Sequence, residues 1–446
     1  MKKFQRFAVL AATAALTIGG LGACSSSDTE SADDGKGRVY YLNFKPEQEE
    51  AWKKVAQTYT DETGVDVKIV TAASGTYQNV LKTEIVKDEA PTLFNINGPV
   101  GYQTWKKYTA DLRDSELYSH LSDKSMAVTD GDGVFGIPFV VEGYGIIYNQ
   151  AILDKYFATD GAKAKSVAEI NNFDTLKAVA EDMQAKKDEL GIKGAFASTS
   201  FAPGEAWRWD THLANLPVFY ELRDAKADDA KELKFSYSEN YKNILDLYTQ
   251  NSTVSTSEVT AKTVTDSMAE FALGEAAFVQ NGNWAWSQIA DVQGNTVKAE
   301  DIHFLPIYTG VSGEEAQSIA VGTENFMSVN SKASEADQKA SLDFLKWLFT
   351  SDTGMKMVTE DLGFIAPFDT FTDDMAPSDP LGLEVNKFMN NADLYNVNWN
   401  FTIFPSQDFK DGLADRLGQY VSGKLDWSEV ETYFVDTWKA EKAKAA

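Results

Sequence analysis

Three segments of this chain combine tryptophan with amides and charged groups where regular structure breaks. Ser198 to His212 opens on Pro203-Gly204 and carries Trp207, Arg208, Trp209 and His212. Asn281-Gly282-Asn283-Trp284-Ala285-Trp286 follows the end of a predicted strand. Tyr395 to Phe401 mixes rings with amides around Trp399. Such a mixture suits a sugar. The C–H faces of a sugar ring pack on aromatic rings, and its hydroxyls need amides, carboxylates and backbone groups. Any one of these rings could be core, and Trp286, two residues from Trp284, is read that way. Three segments at loop or strand ends point to a binding cleft.

Catalytic and metal chemistry finds less support. Gly131-Asp132-Gly133-Val134-Phe135-Gly136 matches a bare dinucleotide pattern, but it precedes a strand and opens no helix, so it reads as a turn. Asp130 and Asp132 lack the further acidic ligands of a calcium loop. His120, His212 and His303 stand far apart, with one Cys in the chain and no HExxH, which argues against zinc. No nucleophile elbow or P-loop occurs. A pair of carboxylates for glycoside hydrolysis stays open, since 67 acids offer many pairs and none stands out.

The elements that must position these residues follow from periodicity. Val39 to Phe44 reads as a strand, and Glu47 to Thr63 as a helix with Trp52, Val55, Ala56 and Tyr59 on one face, stopped by Gly64. Val65 to Val70 reads as a strand, Tyr77 to Lys87 as a helix, and Thr92 to Ile96 as a third strand. This alternation predicts an α/β fold with a parallel sheet, whose ligand lies at the carboxyl ends of the strands. The loops there are Asn43-Phe44-Lys45-Pro46, Ala73-Ser74-Gly75-Thr76-Tyr77 and Asn97-Gly98-Pro99. Gly136 to Asn149 is apolar but broken by Pro138, Gly143 and Gly145, which suggests two strand halves crossing between lobes. Ile302 to Ile307 is read as a second crossing.

The N-terminus sets the compartment. Lys2, Lys3 and Arg6 precede an apolar run from Phe7 to Gly20, then Leu21-Gly22-Ala23-Cys24. That order is a secretory signal peptide over residues 1–23, with an apolar run too short to span a bilayer. Cys24 is the only cysteine and stands where bacterial lipoproteins are lipidated. Residues 24–37 are small, polar and acidic, a flexible tether. The formal charge is −26, and removing the leader makes it three charges more negative. That excludes a nucleic-acid partner and flat adsorption on anionic lipid. No second cysteine is present for an internal disulfide, and a chain this long divides naturally into two domains.

With these residues in hand, the chain resembles the family 1 extracellular solute-binding proteins of ABC sugar importers, to which the maltose-binding proteins also belong. The resemblance rests on the Cys24 segment, Tyr41 to Glu47, Ala73 to Tyr77, Gly136 to Asn149, Phe278 to Trp284 and Val321 to Phe326. It implies two α/β lobes joined by hinge crossings, the type II periplasmic-binding-protein-like fold. One lobe would span 38–139 and 307–350, the other 140–306 and 351–446. It implies a monomer without cofactor or catalysis, lipid-anchored on the outer face of the cell membrane, that closes on a sugar and docks on an ABC permease. An oligosaccharide is the expected ligand, contacted by Phe44, Lys45, Ser74, Gly75, Tyr77, Asn97, Glu142, Tyr144, Trp207, Arg208, Trp209, His212, Asn281, Trp284, Glu324, Asn325 and Trp399. A surface-anchored glycoside hydrolase and a structural lipoprotein are the alternatives. Peptide, polyamine or metal cargo suits the ring-and-amide loops less well.

Overall fold

The computed structural model describes residues 35–445 apart from Ser74, Thr199 and Asp373. The signal peptide, Cys24, the tether up to residue 34 and the expected ligand contact Ser74 lie outside the described residues. Two six-stranded sheets organise the rest. The first contains β1 (Val39–Asn43), β2 (Val67–Thr71), β3 (Leu93–Asn97), β4 (Val128–Asp130), β5 (Gly133–Pro138) and β11 (Asn325–Val329), in the order β2-β1-β3-β11-β5-β4. The second contains β6 (Glu142–Asn149), β7 (Gly194–Phe196), β8 (Ala276–Gly282), β9 (Ile302–Leu305), β10 (Gln317–Gly322) and β12 (Tyr395–Asn398). Its order is β12-β10-β6-β8-β7, with β9 also on β6. This is the two-lobe α/β architecture expected from the alternation of strand and helix signals.

In the first sheet β1 lies parallel to both β2 and β3. Its faces divide by strand period: Val39 and Tyr41 join one apolar layer, Leu42 the other. Helix α1 (Glu49–Thr63) covers the first layer with Trp52, Val55 and Tyr59, and the helix Glu335–Thr350 adds Phe344, Leu345 and Leu348. Helices α2 (Tyr77–Glu84) and α3 (Gly98–Trp105) cover the second with Tyr77, Leu81, Tyr102 and Trp105. A sheet covered on both faces reads as continuous apolar strands, and the five residues of β1 are all buried. Gly64 ends α1 in the left-handed region at φ +72°, its N–H on the Thr60 carbonyl at 2.8 Å.

The chain passes from β5 in the first sheet to β6 in the second through Phe139–Val141, within the expected crossing. The return is a correction. Ile302–Leu305 pairs with β6 and stays in the second sheet, as does β10. The chain re-enters the first sheet at Thr323–Glu324, between β10 and β11. Pro306 marks the end of a strand rather than a lobe boundary. Beyond the helix Glu335–Thr350, Met357, Leu362, Phe364 and Phe368 still pack in the first core. Ile365 touches the second core from within this stretch, and with Leu381 and Val385 of the helix Pro380–Met389 the chain joins it. Among the described residues, no helix is long and apolar enough to cross a membrane.

Candidate ligand cleft

The parallel order of β1, β2 and β3 brings their C-terminal loops to one rim. From them Phe44, Lys45, Gly75, Tyr77 and Asn97 line a cavity of about 790 Å³. Asn43, at the end of β1, fixes the first loop: its Oδ1 accepts the Lys45 N–H at 3.0 Å and its Nδ2 donates to the Lys45 carbonyl at 2.9 Å. The ends of the crossings add Glu142, Glu324 and Asn325, and the segments around the second sheet add Trp207, Arg208, His212, Trp284 and Trp399. A volume of this size falls within the range of small-molecule sites.

Local backbone explains how the rings are presented. Residues Arg208–Leu213 form a π-helical turn, a rare conformation that recurs at functional sites. It directs Trp207, Arg208, Asp210, Thr211 and His212 to the cavity. Gly282 and Gly322, at the ends of β8 and β10, are seats for indoles. A Cβ at Gly282 would meet the Trp284 ring at 2.2 Å, and one at Gly322 the Trp399 ring at 2.5 Å. The His212 imidazole joins these rings, 4.9 Å from Trp207, 5.5 Å from Trp284 and 5.8 Å from Trp399. Burial, with help from Arg208, Lys410 and Lys45, pushes its pKa well below the ordinary histidine value, so the ring is neutral.

Three expected contacts do not line the cavity. Tyr144 is fully buried behind His212, stacked on it at 4.3 Å with its hydroxyl donating to the His212 carbonyl at 2.9 Å. It positions the ring. Trp209 points away and stacks on Phe201 at 5.4 Å. The Asn281 amide faces inward, its Nδ2 on the Met268 sulfur at 3.4 Å and its Oδ1 on the Gly282 N–H at 3.0 Å. Tyr77 presents its ring only, because its hydroxyl both donates to the Asn95 carbonyl and accepts from the Asn95 N–H. Trp286 packs against the second core, as read from the sequence.

The sequence reading missed one whole wall. The helix Gln407–Val421 lines the cavity with Gln407, Lys410, Asp411, Ala414, Asp415, Gly418 and Gln419, which repeat at helical spacing. The signal available was that repeat, with small residues at 414 and 418 leaving room on an otherwise polar face.

Charge in the cleft is arranged in pairs. Lys45 Nζ lies 2.7 Å from Glu142 and 3.5 Å from Glu47, bridging the rim loop to the crossing. Burial opposes the Lys45 charge, but the two carboxylates more than offset it and raise its pKa. Lys410 stands 3.8 Å from Glu324. Asp210 is different: burial raises its carboxyl to about 7, against the hydrogen bond from Thr211 and the pull of Lys410. Several buried polar atoms have no hydrogen-bond partner here, among them Trp284 Nε1, Trp399 Nε1, Asn325 Oδ1, Gln288 Oε1, and Arg208 Nε and Nη1. Native structures leave few such groups, and those that occur call for an explanation. Among the described residues, no cluster of three or more His, Cys, Asp or Glu is placed to hold a metal.

These features define a ligand cleft between two α/β lobes, and the comparisons agree. The chain belongs to a family of bacterial extracellular solute-binding proteins, whose sequence model matches residues 54–381, more than half of the chain. That family binds solutes and is not one of enzymes, which sets the hydrolase alternative aside. A comparison with curated proteins finds no match. Many solved structures share the fold. The binding protein RafE in complex with raffinose is 16% identical, with a TM-score of 0.69 over 91% of this chain and 99% of its own. A sugar transporter from Bacillus licheniformis in complex with stachyose is 15% identical, with a TM-score of 0.67 over 90% and 99%. Maltose-bound MalE3 of T. maritima is 16% identical, with a TM-score of 0.66 over 90% and 99%.

Replacing Trp284 or Trp399 by Ala is expected to weaken solute binding by about 1–2 kcal/mol each, through lost ring contact. Titration calorimetry checks this. Unchanged affinity with a large fall in melting temperature would make the rings core.

Proposed function

We propose that this chain is the receptor of an ABC sugar importer, lipid-anchored through Cys24 outside the cell membrane. It captures an oligosaccharide by closing its lobes and delivers it to the permease as a monomer. One observation carries the reading: tryptophan faces and unpartnered buried polar groups converge in the same cleft. Stacking faces with spare donors and acceptors are what a sugar requires, and a metal or a purely apolar solute would use only half of them. The helix Gln407–Val421 supports an extended ligand. Its lining face, from Gln407 to Gln419, runs for about 18 Å at 1.5 Å per residue, longer than one sugar ring. The neighbours seen with raffinose, stachyose and maltose favour the same class. The residues around Cys24 support the anchor.

A thermal-shift screen of the chain from Ser25 onward, against mono- and oligosaccharides, tests this. A sugar present at 100 times its dissociation constant should stabilise the fold by about 2.7 kcal/mol. Oligosaccharides should give the largest shifts, with no hydrolysis. Silence across the sugars, with a shift by peptides or polyamines, would overturn the reading.

A further inference from the structure

We propose that the captured sugar carries a carboxylate, as in a uronic acid, and that Arg208 receives it at the inner end of the cleft. This rests on the sugar reading above and narrows it to acidic oligosaccharides. The argument starts from the cations that line the cleft. Lys45 is answered by Glu142 and Glu47, and Lys410 by Glu324. Lys424 is exposed at the mouth. Arg208 is 2% exposed and, among the described residues, forms no ion pair. Its Nε and Nη1 have no acceptor. Glu205 and Glu47 act on it only from beyond ion-pair distance.

The guanidinium is held in place without being neutralised. Its centre stacks 3.9 Å over the Trp207 ring. The Gln280 amide donates to the Arg208 backbone carbonyl at 2.8 Å, tying the turn to β8. Behind it, Ser198, Tyr248 and Gln280 enclose a cavity of about 10 Å³, room for one water. A water there accepts a hydrogen bond and brings no charge. A buried charge without a counter-charge is costly, and a guanidinium matches a carboxylate with two parallel hydrogen bonds. A hydroxyl of a neutral sugar leaves the charge unanswered. Asp411 and Asp415 lie on the helix wall and repel an anion placed along it, so the acidic group belongs at the Arg208 end.

Titration calorimetry with an oligosaccharide bearing a uronic acid, and with the same compound after carboxyl reduction, decides the matter. The acidic form should bind at least about tenfold more tightly, the value of a charge-assisted hydrogen bond. That preference should collapse in Arg208→Gln and survive in part in Arg208→Lys. The comparison of the two ligands on the unaltered chain needs no variant to fold. Equal or tighter binding of the reduced form overturns this inference and leaves the sugar reading standing. Binding of neither form, with no response to any sugar in the thermal screen, overturns both.

Discussion

Replacing Gly75 by Val should lower sugar affinity by at least about thirtyfold, or 2 kcal/mol, and destabilise the unliganded protein by only about 1–2 kcal/mol, the left-handed strain of the loop itself. Gly75 follows β2 on the rim of the first lobe, and Gly204 lies in the Pro203-Gly204 turn on the opposite side of the cleft. Both sit in the left-handed region, at φ +70° and +81°, and their backbones touch. A Cβ at Gly75 would stand 2.5 Å from the Gly204 carbonyl oxygen. Backbone meets backbone there, so no rotamer relieves the clash, and the left-handed conformation costs a β-branched residue about 1–2 kcal/mol more. The contact exists only with the lobes together. On the lobe closure proposed above, side chains in this gap penalise the closed form and leave each lobe's core intact, so apparent affinity falls with the population of that form. Calorimetry and scattering with and without sugar check it. Unchanged affinity would mean that the two glycines need not meet when the solute binds.

Much of this arrangement was legible in the chain itself. Strand, helix and strand from Val39 to Ile96 foretold the parallel core and the three rim loops, because strands covered on both faces are continuously apolar and their exits carry polar, glycine-bearing turns. The rings at 207, 284 and 399 were visible because tryptophan beside amides in a loop has few packing reasons to be there. What failed did so for local reasons. Trp209 seemed equivalent to Trp207, but only Trp207 lines the cleft, while Trp209 backs onto Phe201. Ile302–Leu305 was apolar before a proline, as a crossing would be, and a buried strand inside one sheet looks the same. Gly282 stands two residues before Trp284 without marking where the ring will fold back, and the seat of Trp399 is Gly322 on the neighbouring strand, a pairing that only the folded sheet reveals. The wall formed by the helix Gln407–Val421 was hidden because only its partners reveal which polar face is enclosed.

Asp210→Asn should stabilise the fold above pH 7 by about 2–4 kcal/mol, with the gain fading toward pH 4. The carboxyl ordinarily titrates at 3.8 and in the folded chain at about 7, chiefly because it is buried. Between those values the unfolded chain has lost its proton and the folded chain keeps it. The folded state therefore binds more protons, and its stability falls as pH rises through the window. Above pH 7 the fold carries the full burden of a buried carboxylate that Asp411 and Glu324 aggravate and Lys410 only partly relieves. An amide removes that burden and can still accept the Thr211 hydroxyl hydrogen bond. His212 works in the opposite sense: its depressed pKa makes folding less stable as pH falls below the ordinary histidine value. Asp210 is not among the groups that shift His212, so its effect cancels when variant and parent are compared at each pH. Melting curves of both proteins from pH 4 to 9 supply the difference. A difference independent of pH would show that Asp210 ionises normally. Growth of the gap up to pH 7 and a plateau above it would identify a buried carboxyl that weakens the fold where it lines the cleft.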